Sequence, residues 1–146
     1  MEFRRLTEQD LKSLLILYKQ LQPDDDPSSM EDSKIVWQEI ENNPDIRYFG
    51  AVENGKVIST CYAVYIPNLT RNNRGICYIE NVVTDKDYRN MGLASKVIDM
   101  AISYAKEKGC YKVILQSGSS RENAHRFYEN KGFSGTAKKA FDMRLE

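Results

Sequence analysis

The most constraining feature of this 146-residue chain is a turn that joins an extended apolar stretch to a helical one. Residues 80–88 lead into Arg89-Asn90-Met91-Gly92-Leu93-Ala94, and a helical apolar pattern follows at once. Glycine lets a backbone approach a ligand closely because it has no Cβ. Free N–H groups at a helix start, together with the helix dipole, favour an anion there. The turn therefore predicts a cradle for a phosphorylated ligand, although an ordinary strand-to-helix connection gives the same pattern.

Two segments of the chain resemble signatures of the GNAT superfamily of acyl-CoA-dependent N-acyltransferases. Arg89, Gly92 and Ala94 match the three defined positions of its pyrophosphate-binding motif, Gln/Arg-x-x-Gly-x-Gly/Ala. Residues 124–133 resemble its second signature, Ala-x-x-Phe-Tyr-x-x-x-Gly-Phe. The two motifs stand in the family's order, and the resemblance covers residues 78–133 well. It implies acetyl-CoA as the acyl donor and an amine as the acceptor.

The composition excludes several other classes of protein. Lys plus Arg number 21, as do Asp plus Glu, so no basic field is present to hold nucleic acid. One His and three scattered Cys, without a Cys-x-x-Cys pair, argue against a metal site. The odd cysteine count favours reduced thiols in a cytoplasmic protein. The polar N-terminus predicts no signal peptide, and no apolar run reaches the roughly 20 residues that a membrane helix needs.

Hydrophobic periodicity predicts an α+β chain that forms a single domain over residues 1–146. Asn54-Gly55 is suited to a type I′ hairpin between two of the strands. The predicted order is that of the GNAT fold: a mixed, mostly antiparallel sheet with helices on both faces and, as the resemblance implies, a splayed central strand pair. Strands are predicted at 2–6, 47–53, 56–66, 75–84, 111–116 and 140–145, and helices after Thr7 and at 31–42, 91–108 and 121–131. The helix over 31–42 is expected to bury Ile35, Val36 and Ile40.

The cofactor is expected to lie along the turn and along the strand before it. The edge of Val82, Val83 and Thr84 can hydrogen-bond the pantetheine amides like an added strand, while plain sheet core is the alternative for the two valines. The pyrophosphate is predicted to contact Arg89, Asn90, Met91, Gly92, Leu93, Ala94 and Ser95.

The second motif departs from the family pattern at one position. The family often places an asparagine three residues before the alanine of this motif, where it hydrogen-bonds the cofactor. Arg121 stands there in this chain, and Asn123 follows two residues later. Both are candidate cofactor ligands by resemblance, with the alternative that Arg121 only starts the helix.

Tyr128 and Glu80 are the predicted catalytic residues. A phenol can protonate a departing thiolate, and Tyr128 matches the tyrosine that many family members use as general acid. Helix packing is the alternative for this aromatic ring. Strand alternation places Glu80 on the same face as Val82 and Thr84, where its carboxylate could accept the ammonium proton. A structural ion pair with an arginine is an equal alternative for Glu80.

The sequence leaves the acceptor amine open between two loops of opposite charge. Residues 24–26 are three aspartates that would attract a polyamine or an aminoglycoside. Arg71 and Arg74 would favour an anionic acceptor, such as an amino-sugar phosphate, and we rank this class first. The local sequences of residues 66–83 and 109–112 resemble those of glucosamine-6-phosphate N-acetyltransferases, which supports that ranking. A non-catalytic acetyl-CoA sensor is the alternative function, and exposed sheet edges are compatible with a homodimer.

Overall fold

The computed structural model describes residues 1–146, which form an α+β fold with a five-stranded sheet. The predicted fold class is therefore confirmed. The strands are β1 (Glu2–Arg5), β2 (Ile46–Glu53), β3 (Lys56–Ile66), β4 (Ile76–Thr84) and β5 (Lys112–Leu115). The helical segments are α1 (Leu11–Leu21), α2 (Met30–Asn42), α3 (Thr70–Asn73), α4 (Leu93–Glu107) and α5 (Glu122–Asn130). None of these helices has the length and apolarity needed to cross a membrane.

The sheet follows chain order, β1-β2-β3-β4-β5, and its first four strands pair antiparallel. The hairpin between β2 and β3 turns through Asn54 and Gly55, whose φ angles are 51° and 76°. A type I′ turn requires positive φ at both central residues, which Asn and Gly tolerate best. The predicted hairpin is confirmed.

Helices cover both faces of the sheet. Neighbouring residues of β2 point to opposite sides, and each packs against a different helix. Tyr48 contacts Trp37 of α2 in an edge-on arrangement, with ring centroids 5.2 Å apart. The next residue, Phe49, meets Tyr104 of α4, with ring centroids 6.2 Å apart. The buried cluster on the Tyr48 side comprises Leu6, Leu11, Leu14, Leu17, Trp37, Val52, Val57 and Val83.

An ion pair fixes the connection from β1 to α1. Asp10 is 5% exposed, and Arg4 donates two hydrogen bonds to its carboxylate at 2.8 and 2.9 Å. The same carboxylate accepts the backbone N–H of Thr7 at 2.8 Å. The bonds of Arg4 lower the pKa of Asp10, because they stabilise the charged carboxylate. This network sets the angle at which the chain enters α1.

The predicted burial on α2 is wrong at two positions. Ile35 and Val36 are 60% and 53% exposed, whereas Trp37 is 3% exposed. A helix of this length can turn only one stripe towards the sheet, and the stripe that contains Trp37 and Ile40 is the one that packs. Trp37 removes more apolar surface from water than either aliphatic residue would, so it determines the orientation of the helix.

The predicted strand over residues 140–145 is also wrong, since this segment has no regular structure. Phe141, Met143 and Leu145 are 85%, 82% and 94% exposed. Alternation in a sequence predicts which side chains would share a face, but a strand forms only when a neighbouring strand accepts its backbone hydrogen bonds.

The residues of the chain divide into two compact units, Met1–Ile114 and Leu115–Glu146.

Candidate active site

A β-bulge interrupts the pairing of β3 with β4 and exposes backbone near Glu80. Glu80 lies opposite Tyr62 and Val83 lies opposite Thr60, so two residues of β4, Asn81 and Val82, face one residue of β3. Asn81 adopts the left-handed region, with a φ of 52°. Asn tolerates this region better than most residues, which is the sequence signal that could have located the bulge. The extra residue removes backbone N–H and C=O groups from the regular ladder.

The bulge overturns the predicted face of Glu80. Residues directly opposite in a ladder share a face, so Glu80 and Val83 lie on the same side of the sheet as Tyr62 and Thr60. Simple alternation had placed Glu80 with Val82 and Thr84 instead. One additional residue in a strand exchanges the two faces for everything beyond it. Glu80 therefore faces α1 and α2.

A row of aromatic rings runs across the sheet and ends at Glu80. Trp37 packs edge-on against Tyr48, and Tyr48 stacks on Tyr62 with centroids 4.6 Å apart and an interplanar angle of 14°. Tyr62 is the cross-strand neighbour of Glu80. Burial, and after it the Glu80 carboxylate, raises the pKa of Tyr62. The sequence did not single out these rings, because no motif connects residues on α2, β2 and β3.

Glu80 is half-buried and forms no ion pair. The structure therefore gives no support to the structural arginine partner that the sequence allowed. A carboxylate without a cationic partner can accept a proton. Backbone N–H groups that a bulge frees beside it can stabilise a developing oxyanion.

Tyr18 of α1 reaches the same region with a buried hydroxyl. No group meets strict hydrogen-bond geometry with its oxygen, but the Asn81 side chain lies close enough to act on it as a hydrogen-bonding group. Burial raises the pKa of Tyr18 well above its ordinary value, Tyr48 adds to the rise, and Asn81 opposes it. The phenol is therefore a protonated donor at neutral pH, close to the bulge.

The strand end leads into a turn that an ion pair holds in place. Asp85 is 3% exposed and its carboxylate lies 2.8 Å from the Lys56 ammonium. Asp85 also accepts the backbone N–H of Asp87, while Gln20 of α1 accepts that of Lys86. These contacts tie β3 and α1 to the short 3-10 turn over Lys86–Tyr88, so they fix the start of the predicted phosphate cradle.

The predicted cradle has a backbone suited to anion binding. Asn90 and Gly92 have φ angles of 63° and 76°, and Gly92 directly precedes α4. A Cβ built on Gly92 would meet no atom within 4 Å, so the space above this glycine is open. The N–H groups of Leu93 and Ala94 belong to the first turn of α4, where no intrahelical acceptor precedes them. Successive N–H groups in such a turn form a concave anion site.

The remaining cradle residues divide between solvent and core. Arg89 and Met91 are exposed, Leu93 is buried, and Ala94 and Ser95 are half-buried. The Arg89 Nε donates to the carbonyl of Thr84 at 3.4 Å, which orients its guanidinium beside the strand end. The cradle thus offers backbone N–H groups and one cation to a phosphate.

The three predicted pantetheine-binding residues do not share one environment. Val83 is 8% exposed and belongs to the core cluster, so the core alternative holds for this member of the pair. Val82 is half-buried at the bulge. Thr84 is half-buried, and its hydroxyl lies 2.8 Å from that of Ser59. Val82 is, with Asn81, one of the two β4 residues that the bulge leaves without a cross-strand partner on β3.

The second unit carries Tyr128 on α5. The Tyr128 ring lies between two phenylalanines, with centroids 5.3 Å from Phe127 and 6.0 Å from Phe133, both edge-on. The carbonyl of Tyr128 accepts the N–H groups of Lys131 and Phe133 at 3.1 and 3.0 Å. Local contacts therefore fix both the ring and the helix end that bears it.

The two candidate cofactor ligands before Tyr128 lie at the start of α5 and are exposed. Arg121 is the residue that directly precedes the helix, and its carbonyl accepts the N–H of His125. The side-chain oxygen of Asn123 accepts a hydrogen bond from Arg126. The imidazole of His125 lies 2.7 Å from the carbonyl of Gly118 and so has a structural contact.

The two charged loops differ in structure. Residues 24–26 are exposed aspartates. In the other loop, Arg71, Asn72 and Asn73 all have positive φ, so α3 is a left-handed turn. Arg71 and Arg74 lie 5.4 and 5.9 Å from the ring centroid of Tyr111. This basic loop precedes β4, at the end of the strand opposite the cradle.

The cysteines are unsuited to nucleophilic chemistry. Cys61 and Cys77 are fully buried, and burial raises the pKa of each thiol to about 12. Burial also raises the pKa of Cys110. A thiol with such a pKa contains very little of the nucleophilic thiolate at neutral pH. No cluster of three or more His, Cys, Asp or Glu side chains is arranged to hold a metal ion.

Comparison with known proteins agrees with this geometry. The family model "Acetyltransferase (GNAT) family" matches residues 11–133. The glucosamine 6-phosphate N-acetyltransferase of Trypanosoma brucei brucei is 32% identical over 146 residues, covering 100% of this chain and 95% of that protein.

Solved structures give the same result. A protein from Agrobacterium tumefaciens str. C58 is 36% identical, with a TM-score of 0.94 over 99% of this chain and 100% of its own. The glucosamine-6-phosphate N-acetyltransferase of Arabidopsis thaliana is 27% identical, with a TM-score of 0.82 over 99% of this chain and 97% of its own.

Proposed function

This chain belongs to the GNAT acetyltransferase family and is an acetyl-CoA-dependent N-acetyltransferase, and from that premise we propose its catalytic groups and its acceptor. The observation that carries the proposal is the β4 bulge beside Glu80, followed nine residues later by the open cradle at Arg89. In this arrangement a base, an oxyanion site and a pyrophosphate site follow one another along a single strand and turn.

Acetyl-CoA is held by the cradle and by the free backbone of β4. Its pyrophosphate accepts N–H groups from the first turn of α4 and lies over Gly92, where there is space for it. The pantetheine amides pair with backbone at Val82, which the bulge releases from its own ladder. Arg121 and Asn123 are proposed as additional ligands on the strength of the family resemblance.

The acetyl group moves by direct attack of the amine on the thioester carbon. Glu80 accepts the proton of the substrate ammonium, directly or through one water molecule, and the free amine then forms the new C–N bond. A backbone N–H at the bulge donates to the carbonyl oxygen as negative charge develops there. The C–S bond breaks as the Tyr128 phenol gives its proton to the leaving thiolate. The nitrogen loses its second proton as the amide forms, and this proton passes through water to the Tyr128 phenolate. The high thiol pKa values of Cys61 and Cys77 argue against an acyl-cysteine intermediate.

We propose that the acceptor is an amino sugar. The T. brucei relative, which this chain matches over its full length, is a glucosamine 6-phosphate N-acetyltransferase. Arg71 and Arg74 are two cations that could pair with a phosphate on the acceptor, as the sequence suggested. Their loop ends at Gly75, five residues before Glu80, which corresponds to roughly 17 Å of strand. Only extended arginine side chains could therefore assist an acceptor that is bound at Glu80.

The test is thiol release from acetyl-CoA with a panel of amines. The panel contains glucosamine, glucosamine 6-phosphate, spermidine, an aminoglycoside, free amino acids and a peptide with a free N-terminus. We expect the highest kcat/KM for an amino sugar. Turnover of polyamines alone would contradict the proposed acceptor. Binding of acetyl-CoA without thiol release for any amine would instead favour a non-catalytic sensor.

A further inference from the structure

One residue in the interior of a strand has a left-handed backbone. Asn81 has a φ of 52°, and no other residue within β1 to β5 has a positive φ. Residues other than glycine adopt this region at a cost, and they persist there only where their surroundings hold them. The conformation of Asn81 forms the bulge of β4, so a contact that holds Asn81 also holds the bulge.

Such a contact comes from α1, which packs on this face of the sheet. Leu14 and Leu17 of α1 share a buried cluster with Val83. The Tyr18 hydroxyl is shielded from solvent, and the Asn81 side chain is the hydrogen-bonding group close to it. An amide and a phenol each carry a donor and an acceptor, so the two groups can bond in either sense. Asn81 is therefore the group that can satisfy a phenol which solvent does not reach.

Packing alone does not account for the Tyr18 hydroxyl. The ring of Tyr18 packs against the buried cluster, and a phenylalanine ring would fill the same space. Burying a hydroxyl is unfavourable unless a hydrogen bond compensates for it. The hydroxyl is also out of reach of a substrate, because its oxygen is not accessible. We therefore expect any effect of this hydroxyl on the reaction to pass through Asn81.

A second side chain of α1 fixes the other end of the same segment. The Gln20 Oε1 accepts the backbone N–H of Lys86 at 2.9 Å. Tyr18 and Gln20 thus contact β4 and the turn after it, at Asn81 and at Lys86 respectively. Residues 82–84, which we propose along the pantetheine, lie between these two contacts. The helix therefore supports the part of the strand on which the proposed reaction depends.

We propose that Tyr18 is a positioning residue, whose hydroxyl holds the Asn81 side chain and thereby keeps the β4 bulge in place. The inference rests on the proposed function, in which Glu80 is the base and a backbone N–H at the bulge is the oxyanion donor. Tyr18 itself contacts neither substrate and transfers no proton. Without its hydroxyl, Asn81 loses a contact that keeps it left-handed, and an extended conformation, in which the residues beyond it change faces, becomes more accessible.

The first test is steady-state kinetics of Tyr18→Phe with the best amine. A displacement of about 1 Å at the reacting groups can cost 10²-fold, so we expect kcat to fall by roughly 10- to 100-fold. The KM for acetyl-CoA should stay within a few-fold, because the substitution leaves the cradle at Gly92 in place. Tyr104→Phe is the matched control: it removes the hydroxyl of a buried tyrosine on the opposite face of the sheet, where this group bonds the Pro44 carbonyl. It should leave kcat unchanged.

A double-mutant cycle separates positioning from packing. Glycine adopts a positive φ without support, so Asn81→Gly should keep the bulge with or without the Tyr18 hydroxyl. Adding Tyr18→Phe to Asn81→Gly should therefore change kcat by less than about twofold. A role of Tyr18 in packing alone would give the same fall in kcat in both backgrounds, because the effects of independent changes add.

A spectroscopic measurement reports on the bulge without any turnover. The carbon chemical shifts of the Asn81 Cα and Cβ atoms depend on the backbone conformation of this residue. We expect Tyr18→Phe to move them towards the values of an extended strand, and Tyr104→Phe to leave them unchanged.

The outcomes separate this inference from the proposed function. Moved Asn81 shifts with a parent-like kcat would support the contact between Tyr18 and Asn81 and would refute the role of the bulge in the proposed reaction. Equal falls in kcat with Asn81 and with Asn81→Gly would overturn the inference and leave the reaction standing. A folded Tyr18→Phe protein with parent-like shifts and a parent-like kcat would overturn it as well.

Discussion

Glu80 lies directly opposite Tyr62 across the β3–β4 ladder, one residue before the strand bulges at Asn81. This pairing joins the candidate base to a stacked pair of rings, since Tyr62 packs on Tyr48 at 4.6 Å. The bulge leaves Glu80 on the face of α1 and α2, and it takes the neighbouring residues Asn81 and Val82 out of the regular ladder. In the proposed mechanism this one local irregularity of the strand accounts for both the base and the oxyanion donor.

We predict that Glu80→Gln lowers kcat by 10²- to 10⁴-fold while acetyl-CoA binding stays within a few-fold. The amide keeps the shape of the side chain but cannot accept the ammonium proton. The measurement is a pH–rate profile of kcat/KM at saturating acetyl-CoA. Loss of the acidic limb in the variant supports a base. A variant profile that keeps the acidic limb and runs parallel to that of the parent would leave Glu80 only a positioning role.

We predict that Gly92→Glu abolishes acetyl-CoA binding in a folded protein. The substitution places a side chain and a negative charge in the open space where the pyrophosphate is proposed to lie. Isothermal titration with acetyl-CoA measures the effect. Gly55→Glu is the matched control, because Gly55 has the same φ of 76° and equally open surroundings in the β2–β3 hairpin.

Both substitutions impose comparable backbone strain, so their stabilities should fall by similar amounts. Only the Gly92 variant should lose affinity for acetyl-CoA. Equal affinity in the two variants would remove the cradle from the cofactor site.

Structural features that follow from a few neighbouring residues were predicted correctly from the sequence, whereas features that depend on pairing or packing with distant segments were missed. Asn54-Gly55 forms the expected hairpin because its conformation is a property of two residues. The strand predicted at 140–145 has no counterpart, because a strand also needs a neighbour that no periodicity specifies. On α2 the pattern contained several apolar residues, and packing against Tyr48 selected Trp37 over Ile35 and Val36.

For the candidate site too, local features could be predicted from the sequence, whereas features that depend on strand pairing could not. The turn into α4 could be predicted from Arg89, Gly92 and Ala94, because the motif has a fixed spacing, and its binding of a phosphate stays a prediction. The face of Glu80 could not, because a single inserted residue at Asn81 reverses the alternation. The rings of Trp37, Tyr48 and Tyr62 come from three elements that are adjacent only in the folded sheet.

We predict that Asp10→Asn lowers the free energy of unfolding by about 2 kcal/mol at neutral pH, because it breaks a paired and largely buried carboxylate. Since Arg4 lowers the pKa of Asp10 in the folded protein, this stabilisation is complete above the ordinary value of 3.8. It is lost as the pH falls through the lower folded value. Urea unfolding from pH 7 to pH 2 measures the difference.

Glu2→Gln is the control for that measurement, because Glu2 also pairs with Arg4 but its side chain is 72% exposed. An exposed ion pair contributes little, so its loss should change stability by less than about 1 kcal/mol. A difference between Asp10→Asn and the parent that persists unchanged at pH 2 would contradict the assignment to the ionised carboxylate.

We predict that replacing both Arg71 and Arg74 by alanine raises the KM for glucosamine 6-phosphate by several-fold and leaves the KM for glucosamine and for acetyl-CoA unchanged. The two guanidinium groups lie near Tyr111 and before β4, and a phosphate on the acceptor is the group that we propose they bind. Steady-state kinetics with the two sugars isolate the phosphate. An equal change for both sugars would point to a structural role for the left-handed turn. Acetylation of polyamines only would shift the acceptor assignment to residues 24–26.

We predict that Tyr128→Phe lowers turnover by 10²- to 10⁴-fold, roughly 3–5 kcal/mol of barrier, with cofactor affinity unchanged within a few-fold. The phenylalanine retains the edge-on contacts of the ring with Phe127 and Phe133, and thermal unfolding checks that the variant is folded. Single-turnover kinetics with the best amine separate chemistry from product release. A donor in the reaction also makes turnover of the variant depend on the thiol leaving group, because an acyl donor with a more acidic thiol needs less protonation. Parent-like single-turnover rates in the folded variant would make Tyr128 a packing residue and assign protonation of the thiolate to water.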